Sequence, residues 1–427
     1  SQMYAYVVAD LLRSLYTGAR HINMEYRIEA PESVRFIIKR LKDNNYDAYA
    51  VGGCVRDSIL GRVPKDWDIT TDATPMQVKA IFRKTIDTGI QHGTVTVMID
   101  HTGYEVTTYR IDGEYEDSRH PKEVIFTQNL RKDLERRDFT INAMAYNDYS
   151  GVVDEFDGIG DIKRHVIRCV GDPMERFSED ALRIMRAVRF SAQLSFDIED
   201  ETRKAIVTLA GTLKNISRER IHTELLKTLM SDNPWRVKDM FDLGIMPVII
   251  PETGKCDANY VKTLLHEDIL DDSYLRMAAL FSGLDYKTVY SVIKGLKLDN
   301  NTLNYVSAII KYENYEVADS ERAIRHFASE CGVIYASHIL RFKIAKENIE
   351  DAHDNTKGYY RHIYEVYQNI VKRGDALTLK ELNITGDDLK LLGIAPGKEM
   401  GNTLKRLFNA VLDEPELNDY DKLKEML

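Results

Sequence analysis

The sequence predicts an α+β protein: a mixed-sheet head followed by an all-α neck, body and tail. Three observations point there. Apolar runs of strand type, AYAVGG at 48–53, TVTVMI at 94–99 and YEVTTYRI at 104–111, are confined to the first part of the chain. Helical periodicity takes over after about Arg164 and continues to the C-terminus. The 427 residues are 44% hydrophobic, enough to bury cores in several domains. These patterns divide the chain into a helical lead-in over 1–28, a head over 29–165, a helical neck over 166–235, a body over 236–355 and a tail over 356–427.

Taken in order, the stretch Met3 to Tyr16 is broken by Asp10 and Arg13 and lacks a basic start, so it reads as an amphipathic helix and not as a signal peptide. AYAVGG gives a strand that ends at Gly52 and Gly53. Thr74 and Pro75 supply the N-cap and first position of a helix around Met76 to Phe82. The next two apolar runs form a hairpin turning at Asp100 to Gly103, and the polar run from Asp112 to Lys122 is a loop. Helices then follow, with breaks near Asn233 and Pro234 and near Asn355 to Gly358.

Composition narrows the function. With 58 Lys+Arg against 68 Asp+Glu, the net charge of −10 argues against a protein that coats nucleic acid through overall positive charge, and leaves only a local basic surface for such a partner. The cysteines at 54, 169, 256 and 331 are too far apart for a CxxC clip, which fits reduced thiols in a cytoplasmic protein. No apolar run approaches the roughly 20 residues of a membrane helix, so no membrane partner is expected.

The chemistry concentrates in VGGCVRDSILGRVPKDWDI, residues 51–69. A strand running into a helix at Gly53 aims backbone N–H groups at an anion, and Arg56, one turn in, adds a guanidinium that pairs with phosphate. Asp66 and Asp68, two apart on a strand, project to one face while Trp67 turns to the other. Two carboxylates side by side repel unless a cation lies between them, and Mg²⁺, a hard ion that takes oxygen ligands, suits the pair. Two metal ions need a third carboxylate. Glu105, on the second arm of the hairpin, completes the set if its strand pairs beside that of Asp66.

GGCVRD followed by KDWDIT resembles the nucleotidyltransferase head of the class II tRNA nucleotidyltransferases (CCA-adding enzymes) and bacterial poly(A) polymerases. The resemblance continues through TGIQHGTVTV, YEVTTYRIDGEY, RRDFTINAMAY, VGDPMERFSEDALRIMRAVRF and ISRERIHTELLKTL, and so covers about Tyr46 to Met230. It implies a polymerase-beta-like head. In RRDFTINAM, Arg137 can hold triphosphate, and Asp138 with Asn142 offers an acceptor and an amide for ribose hydroxyls. By resemblance this is the ribose-recognition motif.

Asp180 and Arg183, three apart in SEDALRIMRAVRF, are expected as neighbours on one helix. A carboxylate accepts and a guanidinium donates. Cytosine and adenine each present an amino donor beside a ring-nitrogen acceptor, so one fixed pair reads both. Uracil and guanine reverse that order and would face the wrong partner, a mismatch that can discriminate by ~10⁴. The family gives its EDxxR motif this role. Arg186 and Arg189 match further nucleotide-contacting positions. At 100° per residue Arg186 stays near the Asp180 face, whereas Arg189 falls opposite it, beside Leu182 and Met185, and rests on resemblance alone.

The reaction expected is template-independent addition of the 3′-terminal CCA to tRNA from CTP and ATP, with Asp66, Asp68 and Glu105 as catalytic metal ligands for two Mg²⁺ ions. Poly(A) polymerases carry a GRR[FY]-type segment where this chain has Gly89 to Gly93, GIQHG, as CCA-adding relatives do. The loop at Asp112 to Lys122, absent from CC-adding relatives, favours completion with A. LTLKELNITGDDLKLLGIAPGKEMGNTLKRL resembles a tRNA-binding tail, in which Gly397 and Lys398 form a turn suited to phosphate, with tRNA and not DNA as partner. Many relatives carry an HD phosphohydrolase motif where this chain has Phe281, Ser282 and Gly283, so no hydrolase activity is expected. A poly(A) polymerase and a silent RNA-binding protein are the rival readings.

Overall fold

The computed structural model describes residues 22, 23, 25–112, 124–350 and 357–427. The amphipathic helix expected at Met3 to Tyr16 and all but the first residue of the loop expected at Asp112 to Lys122 lie outside the described residues. The chain forms two compact units, one of 1–224 with 242–249 and one of 225–241 with 250–427.

The first unit is built on an eight-stranded mixed sheet. Its strands are β1 (Ile22–Asn23), β2 (Ala48–Val51), β3 (Asp68–Thr71), β4 (Thr85–Gly89), β5 (Thr94–Ile99), β6 (Thr102–Thr108), β9 (Ala145–Asn147) and β10 (Gly151–Val153), while β7 (Arg110–Asp112) and β8 (Val124–Phe126) form a separate pair. The spatial order is β1-β10-β9-β2-β3-β6-β5-β4. All neighbours are antiparallel except β3 and β6, which run parallel. The lead-in is therefore not helical at its end: Ile22 and Asn23 pair with Val153 and Val152 as an edge strand.

The hairpin turns where the spacing requires it. Asp100 and His101 adopt φ of 46° and 65°, the left-handed pair of a two-residue turn whose twist matches the flanking strands. All four residues of β2 are buried, because the strand is central and covered on both faces. Tyr49 and Val51 join Ala145, Val153, Leu130 and Leu134 in one cluster. On the sheet also packs helix α1 (Glu32–Asp43), which buries Val34, Ile37, Ile38 and Leu41 at helical spacing. Helix α2 (Gly53–Ile59) follows β2, and α3 (Pro75–Ile81) opens on a capping box in which Thr74 and Gln77 satisfy each other's backbone N–H. The head also holds α4 (Leu130–Glu135) and α5 (Gly158–Arg164), and beyond it come α6 (Pro173–Glu179), α7 (Leu182–Leu194), α8 (Asp200–Leu209) and α9 (Arg218–Leu229).

The short helices α10 (Lys238–Asp242) and α11 (Met246–Ile249) follow in sequence, the latter belonging to the first unit. Among its described residues the second unit is helical, with α12 (Ala258–Leu264), α13 (Ser273–Leu280), α14 (Tyr286–Gly295), α15 (Asn300–Tyr312), α16 (Glu321–Cys331), α17 (Val333–Glu350), α18 (Tyr359–Arg373), α19 (Gly386–Leu391), α20 (Lys398–Asp413) and α21 (Tyr420–Glu425). Asp257, Asp272, Asp285, Asp299 and Ser320 cap α12 to α16 by accepting first-turn N–H groups, each worth ~1 kcal/mol. Part of the chain's acidic excess is thus spent on local structure. Phe281 is fully buried, and Ser282 Oγ and Gly283 N both donate to the buried carboxylate of Glu313, at 3.0 and 2.8 Å. No described helix is long and apolar enough to cross a membrane, and all four cysteines are free thiols.

Candidate active site

The site begins where β2 gives way to α2. Gly52 has φ 83° and ψ −131°, a conformation closed to residues with a side chain, and a Cβ there would lie 3.5 Å from Arg137 Nη1. Gly52, and not Gly53, is therefore the strained position of the turn. Its N–H donates to the Met144 carbonyl at 3.1 Å and ties the turn to the RRDFTINAM segment.

Asp68 opens β3 directly opposite Val51, and the β3–β6 register, Ile69 beside Val106, sets Asp68 next to Glu105 on one sheet face. Asp66 differs from expectation: it lies in irregular backbone before the strand, not on it. Asp68 still feels both of the other carboxylates. Burial pushes the Asp68 carboxyl up, the negative charges of Glu105 and Asp66 push it further, and Arg137 opposes them. None of the three is in an ion pair among the described residues, whereas Glu155, Asp161, Asp138 and Asp180 are. Nor do any three acidic, histidine or cysteine side chains among the described residues already converge closely enough to hold an ion. As a donor set, three oxyanions with no ion-pair partner would suit a hard divalent cation that drew them together.

Arg137 is held from behind. Asp133 on α4 has no exposed surface, and its Oδ2 accepts from Arg137 Nη2 at 3.4 Å and Thr70 Oγ1 at 3.3 Å, while its Oδ1 accepts from the Arg110 N–H at 3.1 Å. Burial alone would raise this carboxyl, but Arg137 and Arg136 bring it below its usual value. The Nε of Arg137 finds no acceptor, an orphan donor beside the carboxylate face. Sequence reasoning missed Asp133; its only local signal is the i,i+3 and i,i+4 spacing to two arginines.

The remaining motif residues form one chain. Arg56 Nη1 donates to Asn142 Oδ1, Asn142 Nδ2 donates to Asp138 Oδ1 at 3.2 Å, and Arg186 donates to Asp138 Oδ2 through Nε at 2.8 Å and Nη2 at 2.7 Å. Asp138 is buried, which would raise its carboxyl, yet Arg186, Arg183 and Asn142 hold it down at about 2. Arg189 pairs with Glu224 of α9. Its guanidinium lies 4.2 Å from the ring centre of Phe190, with those of Arg56 and Arg186 at 5.0 and 5.2 Å. Arg189 therefore joins Arg186 at one ring, despite the helical angle that separates them.

The expected Asp180–Arg183 helix pair requires correction. Asp180 caps the end of α6 in extended conformation, φ −143°, so a break separates it from α7, which carries Arg183. Each residue has another partner. Asp180 accepts from Arg220 Nη2 at 2.9 Å and from the Leu182 N–H at 3.1 Å. Arg183 donates to Glu179 Oε2 at 2.6 Å, to the Arg176 carbonyl at 3.2 Å and to the Arg136 carbonyl at 2.9 Å. Arg220, Glu224 and Glu179 are further residues that sequence reasoning did not single out. In the tail, Gly397 has φ 119° and precedes Lys398 at the start of α20, and Gly393 has φ 90°.

Three family models match the chain: the poly A polymerase head domain over residues 48–168, a probable RNA- and SrmB-binding site of polymerase A over 195–256, and a putative tRNA nucleotidyltransferase domain 2 over 270–427. The CCA-adding enzyme of Levilactobacillus brevis is 37% identical over 90% of this chain and 94% of its own, and that of Lactobacillus delbrueckii subsp. bulgaricus 38% over 92% and 96%. Among solved structures, the Bacillus stearothermophilus CCA-adding enzyme in complex with CTP superposes with a TM-score of 0.76 at 31% identity, covering 93% of this chain and 98% of that one. With a mixed-sheet head, a helical remainder and this likeness along nearly its whole length, the chain belongs to the CCA-adding enzymes, the class II tRNA nucleotidyltransferases.

Proposed function

We propose that this chain builds and repairs the 3′-terminal CCA of tRNA from CTP and ATP, releasing pyrophosphate. The observation that carries the reading is the unpaired carboxylate face of Asp68 and Glu105 set against Arg137. Asp66, Asp68 and Glu105 would hold two Mg²⁺ ions, which when bound ease deprotonation of an attacking 3′-hydroxyl and neutralise the leaving pyrophosphate. Arg137, Arg56 and the N–H groups near Gly53 would bind the triphosphate, and the buried Asp138–Asn142 pair would recognise the ribose. Asp180 and Arg183 would read the base, Asp180 accepting from its amino group and Arg183 donating to its ring nitrogen. Asp180 retains lone-pair capacity beyond its bonds to Leu182 and Arg220. Arg183 would share its guanidinium between the base and Glu179. Arg186 and Arg189 would supply further positive charge.

In this reading residues 29–165 act as the catalytic head, 166–235 as the base-reading neck, 236–355 as a body without hydrolase function, and 356–427 as the tail that grips tRNA through the turn at Gly397 and Lys398. The test supplies purified protein with Mg²⁺, CTP and ATP and tRNA transcripts ending at the discriminator base, after one C and after two, beside unstructured RNA. Addition that completes CCA and stops is expected. Long A tails on any RNA would establish a poly(A) polymerase instead, and no incorporation would establish a silent protein.

A further inference from the structure

Helix α14 buries Val289, Val292 and Ile293 on one side. On the other it shows a stripe of two residue types. At 100° per residue, Tyr286, Tyr290, Lys294 and Lys287 fall at 0°, 40°, 80° and 100°, a single arc over roughly 12 Å of helix. All four are exposed, the tyrosines at 38% and 43%. From α15 an exposed lysine, Lys311, places its ammonium 5.3 Å from the Tyr286 ring centre.

The charge of this face is unusual for the chain. Between Tyr286 and Leu298 there are three lysines and no acid, in a protein whose net charge is −10. The acids at either end are turned to other use: Asp285 accepts from the Thr288 N–H and hydroxyl at 3.0 and 2.6 Å, and Asp299 does the same for Thr302 at 2.9 and 2.7 Å. Lys287, Lys294 and Lys311 make no ion pair among the described residues, although exposed cations elsewhere do, as in Lys39–Asp43 and Lys204–Glu201. Three uncompensated ammonium groups interleaved with two half-exposed phenol rings match a polyanion that carries flat apolar faces: lysine meets phosphate, and tyrosine meets a base or a ribose. An acidic protein surface would use the lysines and leave the rings idle.

We propose that the outer face of α14, with Lys311, is an RNA-contact surface that holds the body of the tRNA substrate by phosphate contacts and stacking. This rests on the tRNA reading above and adds a contact site apart from both the catalytic residues and the tail turn. Such contacts are sequence-independent, as an enzyme that must accept every tRNA requires.

The test uses the full chain. Binding of a tRNA transcript lacking CCA is titrated at several salt concentrations for the parent, for Lys287→Ala with Lys294→Ala, and for Tyr286→Ala with Tyr290→Ala. All four side chains are exposed, and thermal melts check that the fold is kept. The lysine pair should weaken binding about tenfold and lower the slope of log K against log salt by roughly 1.5 to 2. The tyrosine pair should weaken binding at least about fivefold with the slope unchanged. Both should raise the KM for tRNA and leave the KM for CTP as in the parent. Parent-like affinity and salt slope in both variants would overturn the proposal and mark the stripe as a solvated face, with CCA addition still standing. If instead the parent binds tRNA but adds nothing, the reading of the active site fails, and a lowered slope in the lysine pair would still support this surface.

Discussion

Asp138→Asn removes one charge from the centre of the first unit and leaves its shape. The carboxyl is held at about 2 against an ordinary 3.8, a difference worth on the order of 2 kcal/mol of folding free energy at neutral pH. Because the folded value is depressed, this stability is fully present above about pH 4 and is lost as pH falls through about 2. By pH 3 roughly half of it remains. Asparagine can still accept from the Phe139 N–H and from Asn142, but its amide turns a donor toward Arg186, which is then buried without its counter-charge. A loss of about 3 kcal/mol is expected at pH 7. The chain has two tryptophans, and Trp67 and Trp235 fall in different units. Urea titration in a Trp235→Phe background therefore follows Trp67 as a reporter of the first unit alone. The gap between parent and variant should narrow between pH 5 and pH 3. A gap that stays constant would refute the electrostatic account and leave a packing effect, and no gap at pH 7 would refute the role of the ion pair altogether.

Four further outcomes follow from the site. Asp68→Asn should cut CTP and ATP incorporation at least about 10³-fold while tRNA binding, measured by titration, stays within twofold. Asp180→Ala should blur the preference for CTP and ATP over UTP and GTP in kcat/KM. Arg220→Ala should blur it in the same direction and add nothing in the Asp180→Ala background, since Arg220 acts on the base only through Asp180; unchanged selectivity in Asp180→Ala would remove the base-reading role. Gly52→Ala should cost at least about 1 kcal/mol by chemical denaturation, because φ of 83° is strained for alanine even though its Cβ would have room.

Local rules made much of the head legible. Thr74 and Pro75 announce the start of α3, and the two apolar runs around Asp100 and His101 allow only a tight hairpin. The neighbouring of Asp68 and Glu105 was legible only as a condition, because a parallel pairing between β3 and β6 depends on contacts far apart in sequence. The break before α7 was not legible at all. Phe177, Ala181, Ile184 and Val188 keep helical spacing straight through it, and no glycine or proline marks it. What breaks the helix is Asp180 itself, whose carboxylate accepts from the Leu182 N–H and so competes with the helical ladder.

The same competition explains why the partners of the motif arginines escaped a reading of the motif. A sequence shows which side chains carry charge, and helical spacing suggests which of them meet. It does not show which opposite charges arrive from another element. Arg220 and Glu224 are i,i+4 on α9 and look like a solvated pair. In the fold they turn to Asp180 and Arg189, whose charges run in the reverse order along the chain, so that each unlike pair closes between elements. That arrangement leaves Asp180 oriented but not consumed, because Arg220 and the Leu182 N–H use only part of a carboxylate that can accept up to about four bonds. If Asp180 and Arg183 read the base as proposed, the helix break sets the terms: a base would share Asp180 with Arg220 and Arg183 with Glu179.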